Sequence, residues 1–315
     1  VRRWLALWLL ATPSLAWAGP PDHWDLARSP GAERAERLTD EAEDKLAEAA
    51  ATPSAMLRQQ LAAEARSLLE QLGGDRARDL RARFLYGHAL HSLDDDSAVI
   101  AALEPLVAVA FDHPVGIRVM FDLAVAYAKV ERFRDEVRTY DRLLEAEDSP
   151  GLRSTVLSNR GESRAKLDDF PGAVADFRQV IAGDPMNVLA RWGLAVVLDR
   201  WGDLSGALEE GGFAWDIDQH TPSMLDRAGV FFVPAHDKWW YHGVRRLSAA
   251  HRATSATERL GHLQAADRFY EMYLAQAPST DRWVPLARSR RKRIEQQVLA
   301  ARKQAAAGGK RPPSR

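Results

Sequence analysis

The stretch from Ser154 to Pro185, STVLSNRGESRAKLDDFPGAVADFRQVIAGDP, decides the fold. Counted from Ser154 as position 1, Gly161 stands at 8, Phe170 at 17, Ala173 at 20, Phe177 at 24, Val180 at 27 and Pro185 at 32. This spacing predicts two helices, roughly over 154–167 and 171–182, with Asp168-Asp169 at the turn. Pro171 suits a first helical turn, where its missing N–H is no loss, and Gly183 with Pro185 ends the unit. Small residues at 8 and 20 let the two helices cross closely, while Phe170 and Phe177 fill the angle between them.

The same register recurs. Thirty-four residues on, from Val188, come Ala195 at 8, Gly202 at 15, Leu204 at 17, Ala207 at 20 and Ala214 at 27. Thirty-seven back, from Ile117, come Ala124 at 8, Phe133 at 17, Tyr140 at 24 and Leu143 at 27; a further 37 back, from Leu80, come Gly87 at 8, Leu103 at 24 and Leu106 at 27. The departures are Glu136 and Val99 where Ala is expected at 20, and Gly211-Gly212 at 24, where two helix-interior glycines predict a bent or shortened helix.

Units of this length and pattern resemble the tetratricopeptide repeat, over about residues 80–218. The resemblance implies an all-α fold, a right-handed α-solenoid of stacked helix-turn-helix units at 80–116, 117–153, 154–187 and 188–218. One unit cannot bury its own apolar face, so neighbours must stack. In the family, first helices line a concave groove and positions 2, 5, 9, 12 and 13 point into it. Carried over, these are Phe84, His88 and His91; Arg118, Phe121, Val125 and Lys129; Ser158, Glu162 and Lys166; and Trp192, Val196, Asp199 and Arg200. The aromatics at position 5, Phe84, Phe121 and Trp192, are expected either to anchor a bound peptide or to pack on the neighbouring unit. The family's carboxylate-clamp mode is not implied, because Phe84 and His88 stand where its first Lys and Asn belong.

Around this core the chain reads as helices with an unusual start and end. Residues 1–18 pair basic Arg2 and Arg3 with an apolar run from Trp4 to Leu10 and an Ala16-Trp17-Ala18 step, the pattern of a secretory signal cleaved between Ala18 and Gly19; the alternative, a membrane anchor, would need an apolar run of ~20 residues. Residues 19–28 read as a flexible lead. Residues 29–79 hold a helical pair, a degenerate repeat or a cap, with Thr52-Pro53-Ser54 between its helices. Residues 219–236 read as irregular, and Val230-Phe231-Phe232-Val233 is either packed beneath later helices or a partner-docking edge. A further repeat-like pair spans 237–278, and a basic helix, capped by Ser279 or Thr280, closes the stack over 279–304. A disordered basic tail, 305–315, follows.

Charge is uneven. The chain carries a net charge of −1, yet residues 287–315 hold ten basic side chains against Glu295 alone. Arg288, Arg290, Arg291, Lys292 and Arg293 are either a solvated face or a contact for an anionic surface such as phospholipid, lipopolysaccharide or an acidic protein. No recognition motif supports nucleic acid.

Chemistry is hard to place. With no cysteine in the chain, disulfides and thiolate metal sites are excluded. Ser163-Arg-Ala-Lys166 fits S-x-x-K but lacks the S-D-N and K-T-G companions of that enzyme family. His88 with His91, and His236 with Asp237 and His242, fall short of the three or four ligands of a zinc site. The sequence therefore predicts a non-catalytic scaffold without cofactor or metal, exported to the periplasm or beyond, and binding a protein or peptide of the cell envelope. Its alternatives are a structural part of an envelope assembly held by the basic C-terminal helix and, distantly, a hydrolase.

Overall fold

The structure, a computed structural model, describes residues 30–110, 115–146, 149–219, 223–227, 230 and 232–308. The signal-like residues 1–18, the lead 19–28 and the tail beyond 308 lie outside them. The chain forms two compact units, divided between Asp148 and Ser149. Each is a stack of antiparallel helix pairs, the all-α, tetratricopeptide-like solenoid architecture expected from the register.

The first unit holds α1 (Pro30–Ala51), α2 (Ala55–Glu70), α3 (Leu80–Ser92), α4 (Asp96–Leu103), the short α5 (Val107–Ala110), α6 (Gly116–Lys129) and α7 (Phe133–Ala146). Ser54 caps α2 by accepting the Leu57 N–H, and Arg81 ties α3 to Asp40 of α1 at 2.8 Å. Pro105 interrupts the second helix of the earliest repeat, which ends in a 3-10 turn over Glu104–Leu106. The core is mostly aliphatic, built on Leu69, Leu103, Leu106, Val119 and Leu123.

The second unit holds α8 (Pro150–Lys166), α9 (Phe170–Gly183), α10 (Val188–Trp201), α11 (Leu204–Ile217), α12 (Asp237–Arg252), α13 (Ala256–Gln276) and α14 (Val284–Gly308). Its core is aromatic, with Trp192, Trp240, Tyr270 and Tyr273 fully enclosed. Two expectations are corrected here. The Gly211-Gly212 helix runs a full fourteen residues. Its glycines serve close approach, since a Cβ at Gly211 would lie 2.1 Å from the Ser248 hydroxyl. The last helix starts at Val284 and continues to Gly308, past the expected end near 304. Asp281, rather than Ser279 or Thr280, accepts the Trp283 N–H before it. Between α11 and α12, the described residues hold a 3-10 turn at Met224–Asp226 and no strand; Phe232 packs against Tyr241 with ring centroids 5.0 Å apart, which favours burial over a docking edge.

One turn repeats. After α3, α6, α8 and α10, residues Asp94, Glu131, Asp168 and Gly202 take positive φ of 59°, 60°, 66° and 103°. In each, the following N–H reaches the carbonyl five residues back: Asp95 to Leu90, Arg132 to Tyr127, Asp169 to Arg164 and Asp203 to Leu198. These are four Schellman caps, and all fall at position 15 of the register read from sequence. The turn between α12 and α13 is built differently, with Ala253 at φ −60° and ψ 131°.

Candidate functional site

In the first unit the groove-facing positions of α3 and α6 are largely closed. Phe84 is 3% exposed and Phe121 9%, and Val125 is buried; Phe121 lies beside Tyr140, with centroids 6.5 Å apart. Of the two alternatives for these rings, burial favours packing within the protein over standing open to a ligand. Apolar area gains most by leaving water, and packing partners are at hand.

The polar positions of the same face form a cluster. His88 Nδ1 lies 2.7 Å from Asp122 Oδ2, both side chains buried. His88 stacks between Phe84 and His91 at 5.8 and 6.4 Å. Burial pushes the His91 imidazole down to about 4. Its Nδ1 has no hydrogen-bond partner among the described residues, nor has Asp122 Oδ1. Burial alone would raise the Asp122 carboxyl, but His88 more than reverses this and leaves it below the usual range. Lys129 pairs with Asp94 at 3.0 Å and Asp96 at 3.3 Å, and Arg118 is half-buried. Asp122 was missed by sequence reasoning; a carboxylate inside the apolar run of α6 was the available signal, since such a group needs a partner.

In the second unit the groove face of α10 is covered by the chain itself. Trp192 is 0% exposed, and Val196, Asp199 and Arg200 are buried with it. The cover is α12, which runs opposite to α10. Its first residue, Asp237, accepts two bonds from Arg200 at 2.6 and 3.2 Å, and Trp240 donates its indole N–H to Asp199 at 2.9 Å. Further along, Ser248 faces Gly211, next to the Trp192 ring. First helices of tandem repeats run the same way, so the pair α12–α13 is a hairpin folded onto the preceding repeat and not another copy in register. Ser158 is buried and Glu162 half-buried on α8.

The buried charges form one network. Asp237 also accepts from Lys166, and the Arg200 guanidinium lies between the Trp240 and Trp283 rings, 4.9 and 5.1 Å from their centroids. From α14, Arg290 donates to Asp199 at 2.9 Å. Burial favours a neutral Asp237, but Arg200 and then Lys166 overcome it and hold the carboxyl far below its ordinary range. Burial lowers the Lys166 ammonium. With Lys166 committed to Asp237 and Ser163 buried, the S-x-x-K pair is not presented to a substrate. The loose cluster at 236–242 separates: His236 meets Asp281 at 2.8 Å, Asp237 meets Arg200, and His242 meets Asp226 at 3.2 Å. Among the described residues no group of three or more such side chains is placed to hold a metal ion, and no helix is long and apolar enough to cross a membrane.

The basic stripe is corrected in part. Arg290 is buried on Asp199, and Arg291 donates to Asp267 at 2.8 Å. Arg288, Lys292 and Arg293 remain exposed.

What the second unit does expose is an aromatic ledge. Two Schellman turns bring position 14 of successive repeats, Leu167 and Trp201, to the same end of the stack. Trp201 is 50% exposed and Leu167 37%. The Trp201 ring stacks on Phe170 at 6.3 Å and 10°, and Phe170 meets the edge of Trp283 at 6.1 Å. Arg282 fixes the Trp283 turn by donating to Asp168 at 2.7 Å and to the Ala165 carbonyl at 3.1 Å. Neither Leu167 nor Trp201 was singled out in the sequence, because position 14 carries no marked residue type in the repeat.

No protein-family model matches the chain, and no curated protein matches it. Solved structures do. A double mutant of MamA RS-1 aligns with a TM-score of 0.50 at 12% identity, over 59% of this chain and 96% of that one. MamA residues 41 to the end, from Desulfovibrio magneticus RS-1, aligns at 0.49 and 12%, over 61% and 98%. MamA MSR-1 aligns at 0.48 and 20%, over 58% and 97%. At 12% identity the first of these speaks for the fold alone, a helical repeat of the tetratricopeptide kind.

Proposed function

We propose that this protein is a non-catalytic interaction scaffold whose partner, a protein or peptide, docks on the aromatic ledge of the second unit rather than in a concave groove. The observation that carries this reading is Trp201, half-exposed yet held flat on Phe170. Large rings already fixed in place lose little entropy on binding, and tryptophan is enriched among the residues that dominate interface energies. On α10 the positions that a tetratricopeptide groove would offer are occupied by the chain's own α12 and α14, which supports moving the site outward. The signal-like residues 1–18 support export to the periplasm or beyond, and with it a partner in the cell envelope.

The test is capture of partners from the envelope fraction with the wild-type chain beside Trp201→Ala/Leu167→Ser. Partners lost by the variant, with unchanged circular dichroism, support the ledge. The same partners on both would sink it. Export is tested separately by joining residues 1–30 to a phosphatase active only outside the cytoplasm; an inactive fusion removes the envelope from the proposal. Attachment through the basic C-terminal helix now rests on Arg288, Lys292 and Arg293, and deleting residues 287–315 would also take Arg290 from Asp199. Charge reversal of those three is therefore the cleaner probe of that alternative.

A further inference from the structure

A second surface of this unit carries a different chemistry. Where α14 lies against α11, α12 and α13 it leaves a cleft of about 360 Å³. Its floor is aliphatic, made by Leu204, Leu208, Leu247, Leu263 and Ile294. Its rim carries Arg259, Arg293 and His251, all exposed. Among the described residues neither the Arg259 nor the Arg293 guanidinium has an ion pair or a side-chain hydrogen bond, although the neighbouring Arg290 and Arg291 are both paired. No carboxylate lines the cleft. A larger cavity, of about 500 Å³, sets Asp267 and Glu295 against Arg268 and Arg302 and so has no preferred sign.

The shape narrows the ligand further. Residues of α14 line the cleft from Arg290 to Gln304, about 20 Å at the rise of an α-helix. That length suits an extended chain of about six residues better than a compact metabolite. Floor and rim together ask for aliphatic groups with carboxylates beside them, and they reject a basic ligand by like-charge repulsion over a low-dielectric surface.

We propose that this cleft binds an extended acidic and aliphatic peptide segment of a partner protein. Leucine-type side chains rest on the floor, and Asp or Glu carboxylates pair with Arg259 and Arg293. The site is separate from the ledge and stands or falls without it.

Because the chain has no cysteine, Gln297→Cys at the rim takes a single environment-sensitive dye on the full-length protein. The probe is a decapeptide of alternating leucine and glutamate, with its leucine–lysine counterpart, a serine–glutamate peptide and dodecanoate as controls. The leucine–glutamate probe is expected to give a saturable, salt-sensitive response. Binding should weaken by at least about tenfold in Arg259→Glu/Arg293→Glu, and detectably in the milder Arg259→Gln/Arg293→Gln. Both arginines are exposed and unpaired, so circular dichroism should not change. Trp201→Ala should leave the response as it was. No response, equal binding of the lysine peptide, or unchanged affinity in the double reversal would overturn the proposal. A dodecanoate response as strong as the probe's, with the same arginine dependence, would overturn it in favour of a lipid carboxylate.

Discussion

The two units hide polar groups on the same faces of their repeats but do so with different chemistry. The first buries a histidine beside an aspartate, His88 and Asp122, in a mostly aliphatic core, and leaves His91 Nδ1 and Asp122 Oδ1 without partners among the described residues. The second buries full charges, Arg200, Lys166, Asp237, Asp199 and Arg290, and wraps them in tryptophan and tyrosine rings. In this network Arg200 and Lys166 keep Asp237 charged far below the ordinary carboxylate range, while burial raises the Asp199 carboxyl. In the first unit burial holds the neighbouring His91 imidazole neutral, and that hold weakens as protons become plentiful. The first helices of the repeats thus bury a paired charge network in one unit and a neutral imidazole in the other.

The contrast breaks first at Asp237. Asp237→Ala would strand Arg200 and Lys166 in the interior and should cost about 3–5 kcal/mol, read as a lowered urea midpoint of the full chain. A loss below about 1 kcal/mol would mean that water already reaches the network. Acid provides the next test. The folded His91 value of about 4 lies below the ordinary 6.5, so its contribution is complete above 6.5 and is lost as pH falls towards 4, at most about 3 kcal/mol. Asp237 is depressed, so its contribution is complete above the ordinary carboxylate value and lasts until pH falls well below it. Hydrogen exchange at pH 4.5 should therefore show α3 and α6 loosened around His91, and His91→Phe should remove that loosening; in the second unit, where burial also lowers His242 and His262, protection is to be read on α10 beside Asp237. Equal loosening of α10 would end the comparison.

Smaller effects sharpen it. Gly211→Ala should destabilise the second unit by about 1–3 kcal/mol, because the new methyl meets the Ser248 hydroxyl. Ser248→Ala in the same chain should recover most of that on thermal unfolding. Trp201→Ala should change stability by no more than about 0.5 kcal/mol, since half of the ring already faces solvent. A larger loss would mark the ledge as structural.

The repeats were legible because their signal is local. Gly161 sits beside Phe177 because those two helices cross there: a Cβ at Gly161 would lie 3.0 Å from that ring. Spacing alone revealed this. The fate of the groove was not legible, since what covers Asp199 and Arg200 arrives from far along the chain. Asp237 lies 37 residues beyond Arg200, and Arg290 lies 91 beyond Asp199. A family register says which way a side chain points, not what later folds over it. The reversed α12 was equally hidden, because a helical hairpin reads the same in either direction of stacking. Lys166, Asp199 and Arg200 were chosen for their groove positions, and their charge proved to hold the unit together from within.

The four Schellman turns carry one more consequence. Three of them force an acidic residue into a left-handed backbone where glycine would rest without strain, and two of those residues reach beyond their own turn: Asp94 to Lys129 of the next repeat, and Asp168 to Arg282 beside the ledge. The chain keeps time by a dihedral angle rather than by a letter. A reader searching for a glycine at each beat would hear only the last one, at Gly202. Someone copying the repeat to lengthen the stack would have to preserve the angle and could choose the residue according to what the next turn needs to hold.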